Sequence, residues 1–276
     1  VDSLGLSNPI EKKREPSVNY FVSDITKQEE LGFLSSKKYQ YVVNTGGYID
    51  HSFFSDGGDE VFNAHFQGTL NVLKVLDKSR LVRFVNIGSS DEYGNSKAPQ
   101  SENLRERPIS PYSAAKVAAS HFLQMLNKTE NFPSVSLRLF LCYGPGQDHN
   151  RFLPYLILNC LKDLEIKISP GDQLRDYCFI DDIVEAIFEV FKNDNANGMI
   201  FNIGSGRPIS IKQVVEMMVD IIGSGKPNFG AVPYRKGENM ELYADISSAN
   251  KILGWKPKIN LLNGLSKTID YYKNYL

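Results

Sequence analysis

Ser110-Pro111-Tyr112-Ser113-Ala114-Ala115-Lys116 is the stretch from which the rest of the chain can be read. Ser110 is a good helix N-cap. Pro111 suits the first helical position, where its fixed φ and missing N–H cost little. Tyr112 then falls in the first turn and Lys116 four residues on, so both side chains project from one face. A free tyrosine has a pKa of about 10 and is a poor base at neutral pH. A neighbouring ammonium and the positive helix N-terminus both favour the phenolate. Capping and spacing together predict an activated tyrosine on a helix over 113–126. Tyr-x-x-x-Lys alone fits a surface helix with a chance pair as well, so the flanking sequence has to decide.

Upstream, residues 82–87 read as a strand that ends at Gly88 and leads into the polar turn Ser89-Ser90-Asp91-Glu92-Tyr93-Gly94. A hydroxyl therefore stands at the carboxyl edge of a strand, ahead of the Tyr/Lys helix. Farther out, 19–22 and 39–44 read as strands and 27–35 as a short helix or turn. Residues 62–78 place Phe62, Phe66, Leu70, Leu73 and Leu76 at helical spacing. Residues 135–142 read as the next strand, and Gly144-Pro145-Gly146 must turn. This alternation predicts right-handed βαβ units and a parallel sheet. The second half is less regular. It holds helical patterns at 152–161, at 182–191 with Asp181 as cap, and at 211–222 with Ser210 as cap, and a strand at 200–203. That pattern predicts a smaller lobe over the carboxyl edge of the sheet, where open α/β folds bind ligands.

The 276 residues carry 31 Lys and Arg against 32 Asp and Glu, a balance that gives no sign of nucleic-acid or membrane-surface binding. No apolar run reaches the length of a membrane span. Cys142, Cys160 and Cys178 form no close pair and no metal-ligand spacing. His51, His65, His121 and His149 are scattered. Buried thiols in a reducing cytoplasm, and no metal site, are the expectation.

The order of strand, serine and Tyr-x-x-x-Lys resembles the extended short-chain dehydrogenase/reductase family, in particular its NAD-dependent nucleotide-sugar epimerases and dehydratases. Further matches run along nearly the whole chain. Asp24-Ile25 after a strand is similar to the family's adenine-binding pair. Asn44-Thr45-Gly46-Gly47 stands in place of its His-Leu-Ala-Ala. Leu137-Arg138-Leu139-Phe140 leads into Tyr143-Gly144-Pro145-Gly146, as in the segment running from nicotinamide to substrate. Arg175-Asp176-Tyr177, Phe201-Asn202-Ile203-Gly204-Ser205-Gly206 and Leu253-Gly254-Trp255-Lys256-Pro257 match three later hallmarks.

The resemblance implies an α/β, Rossmann-type doubly wound parallel sheet with a smaller C-terminal substrate lobe. The NAD-binding domain would span 1–145, and 146–276 would be mainly the substrate lobe, with some segments returning to the first domain. It implies that Tyr112 takes the proton from a sugar hydroxyl while C4 gives hydride to NAD. Lys116 would hold the nicotinamide ribose, and Ser89, with Ser90 one residue away, would bond the reacting oxygen. Asp91 falls where dehydratases carry an acid. Asp91 and Glu92 read equally well as solvated turn residues. Asp24, Ile25, Thr45, Gly46, Gly47 and Leu139 would line the cofactor. Arg175 and Arg235 would grip a nucleoside diphosphate, and Glu238 its ribose. Leu141 departs from an Asn that often touches substrate.

The family's first strand and glycine-rich phosphate loop are missing from this sequence, and about 30 further upstream residues are expected to supply them. Val1-Asp2-Ser3-Leu4 reads as the end of the second strand, which would give Asp2 the adenosine ribose and favour NAD. A homodimer is expected, pairing the helices at 62–78 and 113–126. The reaction stays open between epimerase, dehydratase and NAD(P)H-dependent ketosugar reductase. A non-catalytic dinucleotide sensor and a steroid or polyol dehydrogenase are the competing readings.

Overall fold

The computed structural model describes residues 1–5, 15–235 and 237–274. They form two compact units. One comprises Val1–Glu92, Pro108–Ser136 and Asn197–Met199, the other Tyr93–Arg107, Leu137–Ala196 and Ile200–Leu276.

In the first unit the elements are β1 (Asp2–Gly5), β2 (Asn19–Val22), β3 (Tyr41–Asn44), α1 (Asp59–Phe62), α2 (Gly68–Val75), β4 (Arg83–Ser89), α3 (Pro111–Glu130) and β5 (Ser134–Leu139), which runs on past this unit. A π-helical stretch, Asn63–Gln67, joins α1 to α2. The ladders are parallel. Asp2 opposes Asn19 in β1-β2, Val43 opposes Val85 in β3-β4, and β5 lies on the other side of β4. Phe84 and Val85 in β4 are fully buried, as β-branched and aromatic residues in a central strand should be. Leu31, Val72, Leu73, Leu76, Phe84, Leu123 and Phe132 form the core on which α2 and α3 pack.

The helix that decided the fold runs 111–130, longer at both ends than its apolar spacing predicts. Ser110 accepts from the Ser113 N–H and the Ser113 side chain accepts from the Ser110 N–H, a reciprocal cap. Asn131, at φ 54°, ends it in the left-handed region that Asn tolerates. Among the described residues β1-β2 and β5-β4-β3 are separate ladders, because no described strand joins β1 to β3.

The second unit contains β6 (Leu141–Tyr143), α4 (Phe152–Leu161), β7 (Glu165–Ile168), β8 (Leu174–Arg175), β9 (Tyr177–Phe179), α5 (Ile180–Lys192), β10 (Ile200–Ile203), β11 (Ile209–Ser210), α6 (Ile211–Ile222), β12 (Lys226–Phe229), β13 (Glu241–Leu242) and α7 (Leu261–Lys273). It holds the parallel pairs β6-β9 and β7-β12 and a small β11-β8-β13 sheet. Leu156, Ile157, Val214, Met218, Leu265 and Ile269 fill the core between α4, α6 and α7.

Two expectations change here. The strand read over 135–142 breaks at Phe140. The Phe140 N–H donates to Ile203, whereas the Leu141 N–H donates to Asp176, so the chain changes partner within one residue. Asp181 is not a cap, because α5 already begins at Ile180 behind an extended Phe179. Its neighbour Asp182 has the anchoring role. The Asp182 carboxylate accepts from the N–H groups of Lys258 and Ile259, and its carbonyl accepts from the Trp255 indole.

Candidate active site

The first unit gathers Ser89, Asp91, Tyr112 and Lys116. β4 runs to Ser89, which puts that hydroxyl at the strand's carboxyl end. Ser89 Oγ accepts the Asp91 N–H at 3.1 Å, which leaves its own proton to donate. Lys116 is 6% exposed. Its Nζ donates to the Ile87 carbonyl at 2.7 Å and lies 5.9 Å from the centre of the Tyr112 ring. Burial pushes the Lys116 ammonium down to about 8, against an opposing pull upward from Glu92. Tyr112 is buried, and so is Ser90.

Two histidines that looked scattered in the sequence converge on this tyrosine. The His65 and His51 rings stand edge-on to Tyr112 at 5.0 and 5.4 Å. His51 Nε2 is 3.7 Å from the half-exposed Asp91 carboxylate. His65 is buried, with Nε2 2.7 Å from the Tyr48 carbonyl. Burial, and then the Lys116 charge, push its imidazole down to about 4. Nothing in local sequence announces this convergence, since His51, His65 and Tyr112 are joined only by the chain's path.

Asp91 and Glu92 read alike in sequence and differ here. Asp91 remains partly solvated, but Glu92 is 0% exposed, so the solvated-turn reading fails for Glu92. Its Oε1 accepts the Ser89 N–H at 2.9 Å and its Oε2 accepts from Ser120 Oγ at 3.3 Å.

Around the expected cofactor positions, the turn after β3 packs its two glycines tightly against neighbouring side chains. A Cβ on Gly46 would stand 2.5 Å from Ile25 Cδ1. One on Gly47, at φ +102°, would stand 2.2 Å from the His65 ring. The underside of the turn is therefore filled by Ile25 and His65, while Thr45 and Gly47 are exposed. Asp24 accepts from the Thr26 N–H and hydroxyl, and the Ile25 carbonyl accepts from Asn71, which fixes that loop. Leu139, half-buried, ends β5.

Asp2 lies in β1, opposite Asn19 of β2, in the strand expected of it. The Asp2 carboxylate accepts from Lys37 at 2.7 Å, Tyr39 at 2.6 Å and Asn19 at 2.9 Å. Burial raises its pKa, but these donors outweigh that and hold it at about 2.

In the second unit Arg175 is 9% exposed. It donates to the Leu174 carbonyl at 2.7 Å and is ion-paired with Glu238. The structure thus brings two expected substrate residues onto each other. Arg235 is exposed. Asp176, between Arg175 and Tyr177, accepts from Ser205 N and Oγ, Gly206 N and Ala244 N and so staples three segments together. No group of three or more potential metal ligands occurs among the described residues. No described helix is long and apolar enough to cross a membrane.

Comparison with known proteins gives the family and the fold. The NAD dependent epimerase/dehydratase family matches residues 2–204. The UDP-glucuronate 4-epimerase of Thermodesulfobacterium geofontis is 30% identical over 214 residues, covering 76% of this chain and 65% of that protein. The UDP-glucose 4-epimerase of Thermotoga maritima, solved with UDP-glucose, superimposes with a TM-score of 0.89 at 24% identity, over 99% of this chain and 91% of that one. The UDP-glucuronic acid 4-epimerase of Bacillus cereus, solved with UDP-glucuronic acid and NAD, gives 0.84 at 27% identity, over 95% and 83%. The chain belongs to the NAD-dependent epimerase/dehydratase family, and its fold is Rossmann-type α/β. It is an enzyme of the extended short-chain dehydrogenase type, and its cofactor is NAD.

Proposed function

We propose that the protein oxidises a nucleoside-diphosphate sugar at C4, as the first step of an epimerisation or dehydration. The observation that carries this reading is the buried Tyr112/Lys116 pair, with Lys116 bonded to the Ile87 carbonyl two residues before Ser89. NAD, when bound, supplies the acceptor for the hydride leaving C4. Tyr112 takes the C4 hydroxyl proton, and Ser89 donates its own proton to the same oxygen and orients it. Lys116 favours the Tyr112 phenolate by its charge and would hold the ribose hydroxyls of the cofactor, with Thr45, Gly46 and Gly47 as its further contacts. In the second unit Arg175 exchanges Glu238 for the substrate's diphosphate, Arg235 adds a second cation, and Glu238 turns to the ribose. A cytoplasmic homodimer goes with this reading.

Asp91 separates the two reactions. Its carboxylate lies in the same turn as Ser89 and beside His51, where an acid for removing water would be needed. The test offers UDP-, dTDP-, GDP- and CDP-hexoses with NAD in deuterium oxide and follows proton NMR. A C4 epimer without deuterium at C5 means an epimerase. Loss of water with deuterium at C5, abolished in Asp91→Asn, means a dehydratase. No change with any of the sugars, together with turnover of a 4-ketosugar on added NADH, would replace this reading with the reductase.

A further inference from the structure

We propose that Glu92 is a positioning residue for the proton-transfer pair: a buried carboxylate that keeps Lys116 charged and locks the end of the strand carrying Ser89. The proposal rests on the Tyr112/Lys116 reading above and adds a residue that this reading does not use.

The geometry is specific. Glu92 is wholly inaccessible to solvent, unusual for a glutamate unless its charge is compensated. Both of its oxygens act as acceptors, one for the Ser89 N–H and the other for the Ser120 hydroxyl. That pattern suits an ionised carboxylate. Ser120 lies one turn beyond Lys116 on α3, and Lys116 itself reaches back to Ile87, two residues before Ser89. Glu92 and Lys116 therefore tie the same end of β4 to the same face of α3.

The electrostatics follow from this arrangement. The groups facing Lys116 are Tyr112 on its own helix, His65 from the π-helical stretch and Glu92 from the turn after β4. His51 and Asp91 lie beyond Tyr112. His65 is neutral near pH 7 because its imidazole protonates only at about 4. Glu92 is the group that raises the Lys116 pKa against burial. An ammonium at about 8 is charged at neutral pH with little margin, so losing its counter-charge would discharge it there. A neutral Lys116 no longer favours the Tyr112 phenolate.

The test reads Lys116 directly, without substrate or cofactor. Lysine side chains are labelled with 13C at Cε, the Lys116 resonance is assigned by its loss in Lys116→Met, and its titration is followed by NMR. In Glu92→Gln, which keeps shape and hydrogen bonding but removes the charge, the midpoint should fall by about one pH unit or more. Glu92→Asp, which keeps the charge, should restore most of it. Ser120→Ala, which removes only a hydrogen bond, should leave the midpoint within a few tenths of a unit. An unchanged midpoint in a folded Glu92→Gln overturns the proposal. Should Glu92→Gln fail to fold, Ser120→Ala decides: a midpoint that falls there by a full pH unit means a packing role and also overturns it. Full turnover in Tyr112→Phe would sink the functional reading instead, whatever Lys116 does.

Discussion

The lysine of the first unit and the arginine of the second are both buried cations in expected functional positions, and the protein treats them differently. Lys116 spends its proton on a backbone carbonyl, with the Glu92 carboxylate influencing it from nearby. Arg175 is bonded outright to a carboxylate that is itself an expected ligand group. The first arrangement is ready before anything binds. On the proposed function, the second must release a partner to take up a diphosphate, and Glu238 must find a new one. Preorganisation is worth most where charge changes during reaction, whereas exchangeable pairing suits a site that has to admit and release an anion.

Breaking the preorganised side should have the largest effect. Tyr112→Phe keeps the ring that packs on His51 and His65 and removes only the hydroxyl. Turnover should fall on the order of a thousandfold, the scale of a lost general base, while NAD titrated by fluorescence quenching binds as before. Activity within a fewfold of wild type would remove Tyr112 from the chemistry.

The exchangeable side should answer differently. Arg175→Met should raise KM for the nucleotide sugar by about ten- to a hundredfold, with kcat within a fewfold, as expected for one charge-assisted contact made equally in ground and transition states. A fall confined to kcat would place Arg175 with the reacting atoms and erase the contrast.

The smallest effect sharpens the comparison through pH. His65 titrates near 6.5 when unfolded and at about 4 in the folded protein. Above pH 6.5 both states hold a neutral ring, and the stability it contributes is complete. Below it the unfolded chain takes up a proton that the folded chain refuses, so stability is lost progressively as pH falls toward 4. The total is at most about 3 kcal/mol. Urea unfolding at pH 7 and pH 5 should show this loss in the wild type and a smaller one in His65→Gln. Equal losses would show that the ring is not held neutral by its surroundings.

These sites were unequally legible in the sequence. Ser110, Pro111, Tyr112 and Lys116 could be read outright, because capping and i,i+4 spacing act within a single helix. The βαβ rhythm followed from hydrophobic periodicity in the same way. Glu92 was misjudged because its burial is imposed by Ser120 and α3, which arrive 28 residues later. The Arg175–Glu238 pair spans 63 residues and leaves no local trace.

The reciprocal cap at Ser110 and Ser113 has a consequence for timing. Helix termini fray, opening and closing far faster than enzymes turn over, and Tyr112 occupies the second residue of α3. A base carried there would share that flicker and spend part of its time out of line with any substrate. Two serine hydroxyls hold the opening turn shut, so amide exchange at 112–114 would report how steadily Tyr112 is held.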